Sequence, residues 1–195
     1  MTRFTLIALA CLIPGISFAT PALLPNRDVS VTYSLTTQGQ PAQTLQLSYN
    51  AAQELARISS AYGYYVLANL PAGQAQLVIP ALHAIVQAPD FSALTAELFE
   101  AGNKARFTAL GKGQYAGLSC ELYRISDSSG TARACLTTDG VILYFRGQDS
   151  HGGAEVTATS VSYAPQPASQ FTPPAGLTPL NLPPSMLKSL LEPNT

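Results

Sequence analysis

Apolar and polar residues alternate along most of this 195-residue chain, and a two-residue period is the mark of strands with one buried face. Val29, Val31, Tyr33 and Leu35 point one way, and Leu45, Leu47 and Tyr49 repeat the pattern after a turn at Gly39 to Pro41. The pair reads as a β-hairpin. Further strands are expected at "LARISS", "YYVLANL", "AQLVIP" and "LHAIVQ", and then at "ARFTAL", "GLSCELYRI", "TARACLT", "VILYFRG" and "EVTATSVSY". Turn-forming stretches "PAGQ", "GKGQYA", "DSSG", "TDG" and "QDSHGG" separate them. The count is about ten strands with short connections, which predicts an antiparallel meander.

One stretch breaks the alternation. In "PDFSALTAELFEAG", Phe91, Leu94, Leu98 and Phe99 fall on one helical face, Asp90 is an N-cap and Gly102 a stop. The spacing predicts a helix over 90–102. From Ala164 the texture turns proline-rich, a composition that cannot add central strands. Within that tail, Ser185 can cap a short helix over 185–192 with Met186, Leu187, Leu190 and Leu191 as its apolar stripe. So short a helix is unstable alone, so the stripe is expected to dock loosely on its own sheet, a partner or a membrane surface.

The N-terminus sets the compartment. Arg3 precedes an apolar run from Phe4 to Ile16, the length of a signal-peptide core and too short to span a bilayer. Ser17 and Ala19 are spaced for signal peptidase, with Thr20 and Ala22 as a second pair. The division expected is a signal peptide over 1–19, a lead over 20–28, one curved-sheet domain over 29–163 and a tail over 164–195. The mature protein is expected in the periplasm or secreted, as a monomer.

Removing the leader also removes Cys11 and leaves Cys120 and Cys135. Zinc needs about four ligands, and His83 and His151 lie far from both cysteines in sequence. No Cys-x-x-Cys redox motif is present. In an exported chain the two sulfurs are expected to form a structural disulfide. A turn centred on Ser128 and Ser129 places Cys135 opposite Leu122, with Cys120 two residues along; direct opposition needs a shifted turn or a bulge.

Charged residues make up 11% of the chain and the net charge is −1. No basic patch is visible along the sequence, and nucleic acid is not expected as a partner. The chemistry inventory is short. "GKGQYAG" fits neither phosphate-binding nor dinucleotide spacing and reads as a turn. No Gly-x-Ser-x-Gly occurs, since "GLSCE" departs at its last position. Asp139 and Gly140 read as a hairpin turn, Glu97 and Glu100 as a solvated helix face, and His83 as a surface or satisfied histidine. His151 beside Asp149 is too slight a set for a metal site. Tyr62, Tyr64 and Tyr65 can line a pocket mouth or pack a strand pair. No cofactor, metal or catalytic residue is expected.

The run "AGLSCELYRI…ACLTTDGVILYFRG…EVTATSVSYAPQPASQFTPPAG", from Ala116 to Gly176, resembles the C-terminal half of small exported bacterial proteins of unknown function. These are similar in turn to the periplasmic lipoprotein-carrier, or LolA-like, superfamily. The matched features are "AG" before a Cys-bearing strand, a second Cys before "TTDGV", and the closing "FTPPAG". The resemblance implies a strongly curved, unclosed antiparallel half-barrel whose concave side is covered by a helix and encloses an apolar cavity. The fold class expected is thus α+β, mainly β, with Phe91, Leu94, Leu98 and Tyr64 around the cavity. The function expected is non-catalytic binding of an apolar or lipid-like ligand or a lipidated partner; the alternative is an envelope interaction or assembly module with no small ligand.

Overall fold

The computed structural model describes residues 21–87, 104–127, 130–149 and 152–180. Twelve strands run through them in chain order: β1 (Val29–Thr37), β2 (Gln43–Asn50), β3 (Leu55–Ser60), β4 (Tyr65–Asn69), β5 (Gln74–Ile79), β6 (Ala84–Gln87), β7 (Arg106–Tyr115), β8 (Leu118–Ser126), β9 (Thr131–Leu136), β10 (Ile142–Asp149), β11 (Gly152–Ser162) and β12 (Thr178–Leu180). All belong to one open sheet in the order β12-β6-β5-β4-β3-β2-β1-β11-β10-β9-β8-β7. Successive hairpins build it outward from both sides of β1, and β11 returns to pair with β1. Only β12 runs parallel to its neighbour, β6.

This corrects the expected α+β half-barrel of about ten strands with a central helix. The sheet has twelve strands, and among the described residues no α-helix lies across it; residues 90–102 lie outside them. One strand comes from the proline-rich tail. Pro179 is accommodated because β12 is an edge strand, where a residue without an N–H leaves no ladder bond unmade, and the Thr178 N–H still donates to the His83 carbonyl at 2.8 Å. Another difference is the length of β7. "GKGQY" belongs to the strand rather than a turn: Gly111, at φ +114°, sits at a bulge, and the turn is the two residues Ala116 and Gly117, both at positive φ as a tight primed hairpin requires.

Alternation sorts the buried side chains. Val29, Val31 and Tyr33 share one face of β1 and form the main core with Tyr49, Val141, Leu143, Ala158 and the two cysteines. A second cluster, Tyr65, Leu67, Val78 and Ile85, occupies the β4–β6 region on the face that also carries Arg57. The proline-rich segment straps that face. The Gln166 N–H donates to Asp28 Oδ2 at 2.7 Å, the Gln166 carbonyl accepts from Asn50 Nδ2 at 2.8 Å, and the Gln170 carbonyl accepts from Arg57 at 3.3 Å. Phe171 is buried and Leu177 packs on the second cluster. Residues 166–177 thus cover part of this face.

Candidate functional site: an arginine row inside the curled end of the sheet

The β7–β11 end of the sheet curls. Tyr115 on β7 and Tyr144 on β10 share one face and are three strand spacings apart, about 14 Å on a flat sheet, yet their rings stack at 5.1 Å between centroids and 9° between planes. The backbones of β7 and β11, four positions apart in the sheet order, come within 8 Å. Bulges in three ladders, between Thr32 and Tyr33, Ile142 and Tyr144, and Ala109 and Gly111, supply the bending that unbroken pairing resists.

The disulfide lies beneath the stacked tyrosines. Cys135 is opposite Leu122 and Cys120 is two residues along, and the sulfurs bond across the diagonal. The Cα atoms are 5.4 Å apart, closer than the ordinary diagonal of about 7–8 Å. Both cysteines are buried. Gly113 is their neighbour on β7: a Cβ there would sit 2.9 Å from Cys135 Sγ and 3.3 Å from Leu122. The glycines of "GKG" therefore serve a bulge and a close packing contact.

Beyond the disulfide, the same face carries the polar part of the site. One register row runs Thr108, Arg124, Arg133, Arg146, Glu155 and Thr36 across six adjacent strands. Three arginines stand directly opposite one another on β8, β9 and β10, and all three are exposed. Like charges in opposing positions repel, and the row contains one counter-charge. Arg146 lies 3.7 Å from Glu155, whose Oε2 also accepts from the Tyr144 hydroxyl at 3.3 Å. Burial, followed by the nearby Glu155 carboxylate, pushes the Tyr144 phenol up. Arg124 and Arg133 have no ion-pair or hydrogen-bond partner among the described residues. The row lines a cleft of about 1030 Å³ with Thr36, Thr37, Gln38, Thr131, Tyr144 and backbone at Gly147 and Gly153.

Apart from the two cysteines, the described residues singled out from sequence fall elsewhere. Tyr64 stacks on the exposed Tyr62 in the β3–β4 hairpin, with centroids 6.3 Å apart, and does not line the cleft. Tyr65 turns inward beneath Arg57, whose guanidinium carbon is 3.8 Å from its ring centre. Phe91, Leu94, Leu98, Glu97, Glu100, His151, Met186, Leu187, Leu190 and Leu191 lie outside the described residues. His83 is exposed at φ +46° and acts through its backbone, donating to the Pro80 carbonyl at 3.0 Å and accepting from Thr178. Asp139 is a structural clamp at the β9–β10 turn. It accepts from Arg27 Nε at 2.7 Å, from the Thr137 hydroxyl and from the Tyr163 hydroxyl at 3.4 Å, while Arg27 lies over the Tyr163 ring. Burial works to raise its carboxyl, but these donors outweigh it and hold the group below the usual carboxylate range.

The arginine row was missed because its members are scattered in sequence and the net charge is near zero. Its signal was present nonetheless. The register that sets Leu122 against Cys135 also sets Arg124 against Arg133.

No family model matches the chain, and no curated protein matches it. Solved structures share its fold. An uncharacterized conserved protein from Thermus thermophilus matches with a TM-score of 0.58 at 10% identity, over 80% of this chain and 91% of the other. A chain of the Pseudomonas aeruginosa MucA/MucB complex matches with a TM-score of 0.54 at 13% identity, over 80% of this chain and 62% of the other. A putative outer membrane lipoprotein-sorting protein domain from Vibrio parahaemolyticus is also found, with a TM-score of 0.38 at 10% identity, over 75% and 89%. The first two likenesses show a shared fold.

Proposed function

We propose that the mature chain is a non-catalytic binding protein of the periplasm or secreted space, which takes its ligand or partner into the curled end of its open sheet. The observation that carries this reading is the cleft of about 1030 Å³ on the inner side of the curl, a volume at the upper end of small-molecule sites. Its lining offers guanidinium, hydroxyl and amide groups, which recognise ligands by charge and hydrogen bonding. The disulfide, stable in oxidising compartments, supports an exported location. A lipid-like ligand or lipidated partner, with Phe91, Leu94 and Leu98 against its apolar part, is the finer form of this reading.

A second reading, an envelope interaction module with no small ligand, is favoured by β7. Among the described residues this ten-residue strand forms one edge of the sheet, and an edge left unpaired can accept a strand from a partner. Native mass spectrometry of the protein purified from its own periplasm separates the two. A retained small molecule supports the first reading and a retained protein chain the second; bare monomer in every preparation contradicts both.

A further inference from the structure

The three opposed arginines face a polar cleft with more positive charge than the described residues neutralise. Glu155 answers one of them, leaving an excess of two charges in the row. We infer that Arg124, Arg133 and Arg146 form the recognition site for a phosphate monoester carried on a hydroxyl-rich group. The inference rests on the proposed binding role and names its ligand class.

Geometry selects this class. Adjacent strands are about 4.8 Å apart, so the outer arginines, one strand to either side of Arg133, span roughly 10 Å at the backbone. Side chains as long as arginine can converge over the central position from both sides. Each guanidinium presents a planar fork suited to oxyanions. A carboxylate has two oxygens to share among three forks, whereas a phosphate monoester has three terminal oxygens and close to two negative charges at neutral pH. An extended acidic peptide fits less well, since its same-face side chains repeat at about 6.6–6.8 Å, out of step with the strand spacing. The cleft is far larger than one phosphate, and Thr36, Thr131 and Gln38 beside the row suit a remainder rich in hydroxyls. That remainder can belong to a soluble molecule or a phospholipid headgroup.

Titration calorimetry of the mature protein with glucose 6-phosphate, and flotation with phosphatidylcholine vesicles containing phosphatidylinositol 4-phosphate, test the two sources. Saturable binding in either arm is expected, weakened by salt because the arginines are exposed, with none to glucose or to pure phosphatidylcholine. The double variant Arg124→Gln/Arg133→Gln should fold normally, since it relieves repulsion, and should lose binding by at least tenfold. Lys112→Gln, exposed on the opposite face of β7, should leave binding unchanged. Absence of saturable binding in both arms, or equal binding by the double variant, overturns the inference. If a ligand co-purifying with the wild type is retained equally by the double variant, the arginine assignment fails while the binding role stands.

Discussion

Tyr115 stacks on Tyr144 across three strand spacings, with ring centroids 5.1 Å apart. This contact fastens β7 over the inner face of β10 and so holds the cleft in shape. Aromatic pairs contribute about 0.5–1.5 kcal/mol beyond their buried area. A double-mutant cycle with Tyr115→Leu and Tyr144→Leu, read by urea unfolding, should give a coupling in that range. Additive losses would mean that the curl does not depend on the pair.

Cys120 and Cys135 close the same end from below. The Cys120→Ala/Cys135→Ala variant should lose about 3 kcal/mol, the amount the entropic model assigns to a loop of this size. Peptide mapping without reductant should recover the two cysteines joined. Two freely alkylated thiols in protein taken from an oxidising compartment would contradict the bridge.

Gly140 and Gly117 both hold positive φ, at +86° and +76°, but in different surroundings. A Cβ on Gly140 would lie 2.1 Å from the Leu24 carbonyl oxygen, whereas one on Gly117 meets nothing within 4 Å. Gly117→Ala should therefore cost only the left-handed penalty of about 1–2 kcal/mol. Gly140→Ala should cost more, because the segment at Leu24 must also move. Equal melting temperatures for the two variants would contradict that difference.

Asp139 makes stability depend on acid. Its folded carboxyl titrates below the unfolded value near 3.9, so the stability it adds is fully present above that value and is lost as pH falls through the lower folded one. Wild type should exceed Asp139→Asn in unfolding free energy at pH 6, with the gap narrowing from about pH 4 downward. A gap that stays constant to pH 2 would show that the charge on Asp139 does not hold the Arg27 and Tyr163 clamp.

The sheet was legible because its signal is local. Val29, Val31 and Tyr33 alternate over a single buried face, and the Asp127 N–H bonded to the Gly130 carbonyl continues the register that carries the disulfide. Glycine misled where its role is tertiary: Gly111 and Gly113 look like turn residues, yet one sits at a bulge and the other makes room for Cys135. Pro179 misled because exclusion from central strands says nothing about an edge. The strap over Tyr65 and Leu67 depends on contacts between residues more than a hundred positions apart, such as Asn50 with Gln166, which no local pattern announces. The arginine row follows from no local pattern, because it depends on two hairpin registers in combination, β8 with β9 and β9 with β10.

Nuclear magnetic resonance titration of the mature protein with glucose 6-phosphate tests the account most directly, because it reports where a ligand sits as well as whether it binds. Saturable shifts are expected at the amides of Arg124, Arg133, Arg146 and Thr36, with the strap from Gln166 to Phe171 unmoved. Shifts centred on the strap or on the Tyr62–Tyr64 hairpin, or no saturable shift at all, would contradict it.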